Sequence, residues 1–133
     1  MRRGGDASAN LPKESVLKVD KDCDVDAALN REYLHAIIET CRKFGVDVLW
    51  IKVSRTAHGR HFYIGIDPPV DAHTANRLQY LLGDDSKRFD FNRARIRSGL
   101  MEWNKLFERI SAVLRTIYRN PKFSHRRRHD RIR

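Results

Sequence analysis

Val48-Leu49-Trp50-Ile51-Lys52-Val53-Ser54, then Arg55-Thr56-Ala57-His58-Gly59, then Arg60-His61-Phe62-Tyr63-Ile64-Gly65-Ile66 is the stretch whose reading decides the fold. Both apolar runs alternate with period two, as strands do. Leu49, Ile51, Val53, Phe62, Ile64 and Ile66 point one way, into a core. Lys52, Ser54, His61 and Tyr63 point the other way. The glycine-containing turn between them makes the pair a hairpin. Two further segments fit the same pattern. Val16 to Asp22 adds Leu17 and Val19 to the core face and Asp20 and Asp22 to the open face. Arg88 to Asn92, read as a short strand, adds Phe89 and Phe91 to the core, with Asp90 outside beside Arg88.

Helical spacing fills the intervals. Asp26 is positioned to cap a helix running to Phe44, with Leu34, Ile37, Ile38 and Cys41 on one face and Gly45 as its stop. Pro68 and Pro69 close the hairpin's second strand. Asp71 then caps a second helix, with Ala75, Leu78, Leu81 and Leu82 inward and Gly83 at its end. After Gly99, the residues Leu100, Trp103, Phe107, Ile110, Leu114 and Ile117 predict a long amphipathic helix to Arg119, stopped by Pro121. The order β-α-β-β-α-β-α gives an α+β fold. It is an antiparallel sheet of ferredoxin-like or RNA-recognition-motif type, with helices packed on one face, a long C-terminal helix and a basic tail. Residues 1–13 read as a flexible basic arm, 14–120 as one domain and 121–133 as the tail.

Composition narrows the partners. The chain has 133 residues and a formal net charge of +10, which suits one domain and a polyanion as ligand. DNA or RNA is the expected partner, held in part by Arg2, Arg3, Arg126, Arg127, Arg128, Arg131 and Arg133 tracking phosphates. Cys23 and Cys41 are too few for a disulfide framework or a four-thiolate zinc site, and read as reduced thiols of a cytoplasmic protein. No apolar run reaches the length of a membrane span, so no membrane is expected.

Three carboxylates on one open face, Asp20, Asp22 and Asp90, are the donor type that holds hard cations such as Mg²⁺ or Mn²⁺. Asp20 and Asp22 stand about 7 Å apart along the strand, from a rise of ~3.3 Å per residue. An Asp-x-Asp at a strand end also serves as a solvated turn or helix cap. His61, Ser54, Arg60 and Arg88 are the phosphate-binding candidates. Trp50 and Tyr63 are candidates for base stacking, or half-buried structural aromatics.

Taken in order, Val16-Leu17-Lys18-Val19-Asp20-Lys21-Asp22, Gly59-Arg60-His61 and Phe89-Asp90 resemble the motifs of the archaeo-eukaryotic primase (primase-polymerase) superfamily. The resemblance spans Val16 to Asn92 and implies a minimal primase-like catalytic core acting in replication or repair. It implies two divalent ions, Mg or Mn, on Asp20, Asp22 and Asp90. It also implies a nucleoside triphosphate met by His61, and nucleotidyl transfer as the activity. Such cores commonly carry a second subdomain, for which this chain has little room, so a second protein subunit is an expected partner. The alternative from the residues is a basic nucleic-acid-binding protein that keeps the sheet and does no chemistry.

Overall fold

The computed structural model describes residues 5–21, 31–56, 59–106, 108 and 113–123. The elements are β1 (Glu14–Lys21), α1 (Arg31–Lys43), β2 (Asp47–Arg55), β3 (Arg60–Val70), α2 (Ala72–Leu81), α3 (Ser86–Arg97) and β4 (Arg115–Arg119). The fold is α+β. Its four strands form one sheet in the order β1-β3-β2-β4, every neighbouring pair antiparallel. β1 and β2 are therefore parallel, with β3 between them and α1 as the crossover.

From Ile51 to Ile66 the hairpin forms as its alternation dictates, but at a bulge before Trp50 the core position expected of Leu49 is taken by Val48, and Leu49 is half-buried. Val53 stands opposite Phe62 and Ile51 opposite Ile64. The turn closes with the Thr56 amide donating to the Gly59 carbonyl at 3.0 Å. Leu17, Val19, Ile51, Val53, Phe62, Ile64 and Ile66 share one core with Ile37 and Cys41 of α1, Ala75 and Leu78 of α2, and Ile96 of α3. Burial pushes the Cys41 thiol up to about 12, so it packs as a small hydrophobe. α2 begins as expected, with the Asp71 carboxylate accepting the Thr74 amide. Gly45 and Gly83 take φ of +80° and +104° just beyond α1 and α2, the left-handed step that ends a helix. Within α2's stripe Leu82 is buried and Leu81 is exposed.

Three further expectations are not met. β3 runs through Pro68 and Pro69 to Val70. The prolines fall just past the last β2 partner, Asp67 opposite Asp47, and at a register irregularity against β1, so no ladder amide is lost. The Asp67–Pro68 peptide is cis.

Arg88 to Asn92 is helix, not strand. The Asp85 carboxylate caps α3 by accepting the Lys87 amide, and the residues that go inward are Asn92 and Ile96, four apart. Phe91 is exposed, and Phe89 lies against Tyr80 with ring centroids 4.7 Å apart.

The long C-terminal helix is replaced where the chain is described. Residues 100–106 are non-helical, with a turn at Met101–Glu102, and Arg115–Arg119 is β4, paired with β2. Thr116, Ile117 and Tyr118 suit a strand, and without β4 the outer rim of β2 would be a bare edge. Trp103 is buried as its spacing suggested, while Leu100 and Leu114 are exposed.

Asp22, the Asp26 cap, Cys23, His58, Phe107, Ile110 and the arginines at 2, 3, 126, 127, 128, 131 and 133 lie outside the described residues. No helix among the described residues is long and apolar enough to cross a membrane.

Candidate nucleic-acid interface

Strand register writes the open face as three cross-strand rows. Asp20, His61 and Ser54 form the first, and Lys18, Tyr63, Lys52 and Thr116 the second. Val16, Gly65, Trp50 and Arg119 form the third. Successive rows lie two residues apart, about 6.6 Å at ~3.3 Å per residue. A bulge between Val48 and Trp50 puts Trp50 on this face while Val48 and Ile51 both stay in the core.

In the first row, His61 is held between two carboxylates. Its Nδ1 lies 2.7 Å from Glu108 Oε2, and its Nε2 lies 3.6 Å from Asp20 Oδ1. Ser54 Oγ donates to both Glu108 oxygens at 2.9 Å, and the Tyr63 hydroxyl donates to Oε2. Burial alone would raise the Glu108 carboxyl. The hydrogen bonds from Tyr63, His61 and Ser54 outweigh it and hold Glu108 below its ordinary value. For Tyr63 the balance runs the other way: burial first, then the bond to Glu108, push its hydroxyl up. With Nδ1 committed to Glu108, the imidazole is fixed in orientation and Nε2 is the nitrogen presented toward Asp20.

The β1 rim beside this row is closed by side chains. The Asp20 amide donates to Asp84 Oδ1 at 2.8 Å and the Lys18 amide to Gln79 Oε1 at 2.9 Å. Asp84 Oδ2 pairs with Arg88 Nη1 at 2.9 Å, and Arg88 Nη2 donates to Asn104 Oδ1 at 2.8 Å. Asn104 in turn donates to Gln79 Oε1 at 2.8 Å. Gln79, Asp84 and Asn104 are all buried, so amides that would make β1 an open edge are satisfied within a dry polar network.

In the third row Gly65 leaves room for Trp50. A Cβ at Gly65 would stand 2.6 Å from Trp50 Nε1 and 2.7 Å from Cζ2, so the indole rests directly on the glycine backbone. Lys52 Nζ lies 4.9 Å from the Trp50 ring centroid, within cation–π range. Trp50, Lys52 and Tyr63 are each part-exposed.

The site proposed from sequence is assembled only in part. Asp20, Ser54 and His61 come together. Asp90 does not join them. It sits on α3, two residues or about 200° of helical turn from Arg88, whose side chain faces the network. Its own partner is Arg93 at 3.8 Å, and its side chain is 68 % exposed. Asp22 lies outside the described residues, so of the three carboxylates expected to hold two ions only Asp20 is placed in this row, with Asp90 on α3. Among the described residues no group of three His, Cys, Asp or Glu side chains is placed to hold a metal ion. Arg88 is committed to Asp84 and Asn104 rather than to a ligand, and Arg60, one residue before His61, falls on the other strand parity.

Sequence reasoning missed Glu108, Asp84, Gln79 and Asn104. Asp84 directly follows a helix-ending glycine, and Glu108 falls inside the span whose spacing predicts a helix. Neither carried a local signal of the contact it makes far away in sequence.

Comparison of the chain with family models, with curated proteins and with solved structures finds no match.

Proposed function

We propose that this protein binds single-stranded nucleic acid across the open face of its sheet. The observation that carries this is part-exposed Trp50, its indole seated over Gly65 with basic residues beside it. Lys52 approaches its ring, and Arg119 is its partner on β4. Aromatic platforms interleaved with basic side chains hold single strands with little regard to sequence, because every base has a face to stack and a phosphate to neutralise. The second row repeats the arrangement, with Tyr63 between Lys18 and Lys52. Support also comes from the net charge of +10, and from the β1-β3-β2 order with its α1 crossover, which follows an RNA-recognition-type sheet. β4 departs from that type by lying beside β2.

The test is titration of the full chain with a short oligonucleotide at several salt concentrations. Saturable binding is expected, with affinity falling on a logarithmic salt scale by about 0.7 units for each phosphate contacted. Trp50 emission should be quenched. Trp103, 1 % exposed, supplies a background that does not respond. Absence of binding to single strands at low salt would remove this reading.

A second reading is favoured by one observation, the placement of His61 Nε2 beside Asp20. It is a nucleotidyltransferase core of the primase-polymerase kind, in which His61 meets the phosphates of a nucleoside triphosphate. On that reading His61→Ala weakens triphosphate binding roughly tenfold to a hundredfold, the value of a charge-assisted hydrogen bond of about 1.5–3 kcal/mol, and spares oligonucleotide affinity. Equal triphosphate binding by wild type and variant would count against it.

A further inference from the structure

At the turn end of the hairpin the sheet carries an unusual row. Arg60 stands directly opposite Lys21 on β1 and directly opposite Arg55 on β2, three cations side by side across three strands. Like charges in directly opposed positions destabilise a sheet. Lys21 is drawn aside, its ammonium 4.7 Å from the Tyr33 ring centroid. Arg55 and Arg60 instead line a cavity of about 270 Å³ together with Val53, Ser54, Val113 and Arg115.

Three arginines thus line one pocket. Arg60 is 5 % exposed, and its hydrogen bond runs from Nη1 to the Gly59 carbonyl at 3.2 Å. Among the described residues no carboxylate lies within ion-pair distance of Arg55, Arg60 or Arg115. Glu108, which meets the pocket residue Ser54, is already taken up by Tyr63 and His61 as well. A guanidinium buried without an anion is costly, and two more held beside it add to the cost. A multiply charged anion in the pocket offsets both the burial of Arg60 and the repulsion from exposed Arg55 and Arg115.

We infer that this pocket is a binding site for a phosphate monoester or diphosphate group. The planar forks of three arginines match phosphoryl oxygens, which accept paired N–H bonds. The cavity is below the usual range for drug-sized ligands of ~300–1,000 Å³ and suits one or two phosphoryl groups rather than a whole nucleotide. The site differs from the stacking surface in residues and in ligand chemistry, so the two stand or fall separately.

The experiment is calorimetric titration of the full chain with sodium pyrophosphate, with sodium sulfate at matched ionic strength as the control. Saturable pyrophosphate binding beyond the sulfate control is expected. Arg55→Ala and Arg115→Ala, both at exposed positions outside the core, should each weaken it roughly tenfold or more. No binding beyond the sulfate control, or unchanged binding in both variants, overturns the inference. Two oligonucleotide arms tell the sources of the group apart. Tighter binding of a 5′-phosphorylated strand than of its 5′-hydroxyl form, lost in Arg55→Ala, places the group at a strand end. Equal binding of both strands, with pyrophosphate binding retained, places it on a free nucleotide. Pyrophosphate binding without any oligonucleotide binding keeps the pocket and removes the stacking surface.

Discussion

Asp84→Ala is expected to destabilise the fold by about 3–5 kcal/mol, the usual cost of removing one partner of a buried ion pair. The Asp84 side chain is fully buried, and the change has two consequences. Arg88 keeps a buried charge with no counter-ion, and the Asp20 amide loses its acceptor on the rim of β1. Denaturant unfolding with a shared slope measures the loss. A change below about 1 kcal/mol would mean that the network does not hold the rim.

The same residue sets a pH dependence. Burial raises the Asp84 carboxyl from an ordinary 3.8 to about 6, although Arg88 and the Asp20 and Asp85 amides pull it down. Between those values the folded state keeps a proton that the unfolded chain has released. The contribution is therefore fully present below 3.8 and is lost as pH rises through about 6. Asp84→Asn, which retains an oxygen for the Asp20 amide, should flatten stability against pH across that window. An unchanged slope in the variant would assign the dependence to other groups.

The parts of the fold that were legible are those where local chemistry and tertiary packing agree. The hairpin is one. Period-two alternation, a glycine turn and a core on one face all point the same way from Ile51 to Ile66, whereas the bulge that puts Val48 rather than Leu49 in the core left no sign in the alternation. α2 is another, with Asp71 before it and Gly83 after it. At α3 the Phe89-Asp90-Phe91 alternation has the period of a strand, although Asp85 caps a helix there. In three dimensions Asn92 and Ile96 decide, because a buried amide and a buried isoleucine four residues apart need a helix.

β4 was hidden for a different reason. Leu114 and Ile117 satisfy helical spacing with Trp103, yet β2 offers an unpaired rim, and Thr116, Ile117 and Tyr118 gain more by pairing with it than by coiling. The candidate site follows the same logic. His61 and Asp20 lie opposite each other on neighbouring strands, so alternation found them. Glu108 lies 47 residues from His61 and Asp84 lies 64 from Asp20, and such long-range contacts leave no periodic trace.

Trp50→Ala should lower affinity for a single-stranded oligonucleotide by about 1–3 kcal/mol, or roughly fivefold to more than a hundredfold. Stacking must be separated from the structural use of the same side chain. An aromatic laid over a strand glycine also shields the backbone there and stabilises the sheet, so the alanine variant will unfold more easily whether or not a base ever touches the indole. Two companion variants divide the effects. Trp50→Phe keeps a ring that can cover Gly65 and stack a base, and should retain most of the affinity while the quenching signal disappears. Gly65→Val keeps the indole but places a branched side chain where Nε1 and Cζ2 now lie, 2.6 and 2.7 Å from the added Cβ. The ring must leave the sheet, and binding should fall with it. Affinity that tracks stability alone across the three variants, with binding restored wherever folding is restored, would make Trp50 a cover for Gly65. Affinity that follows the presence and placement of the ring, at temperatures where all three variants are folded, makes it the platform on which the strand is held.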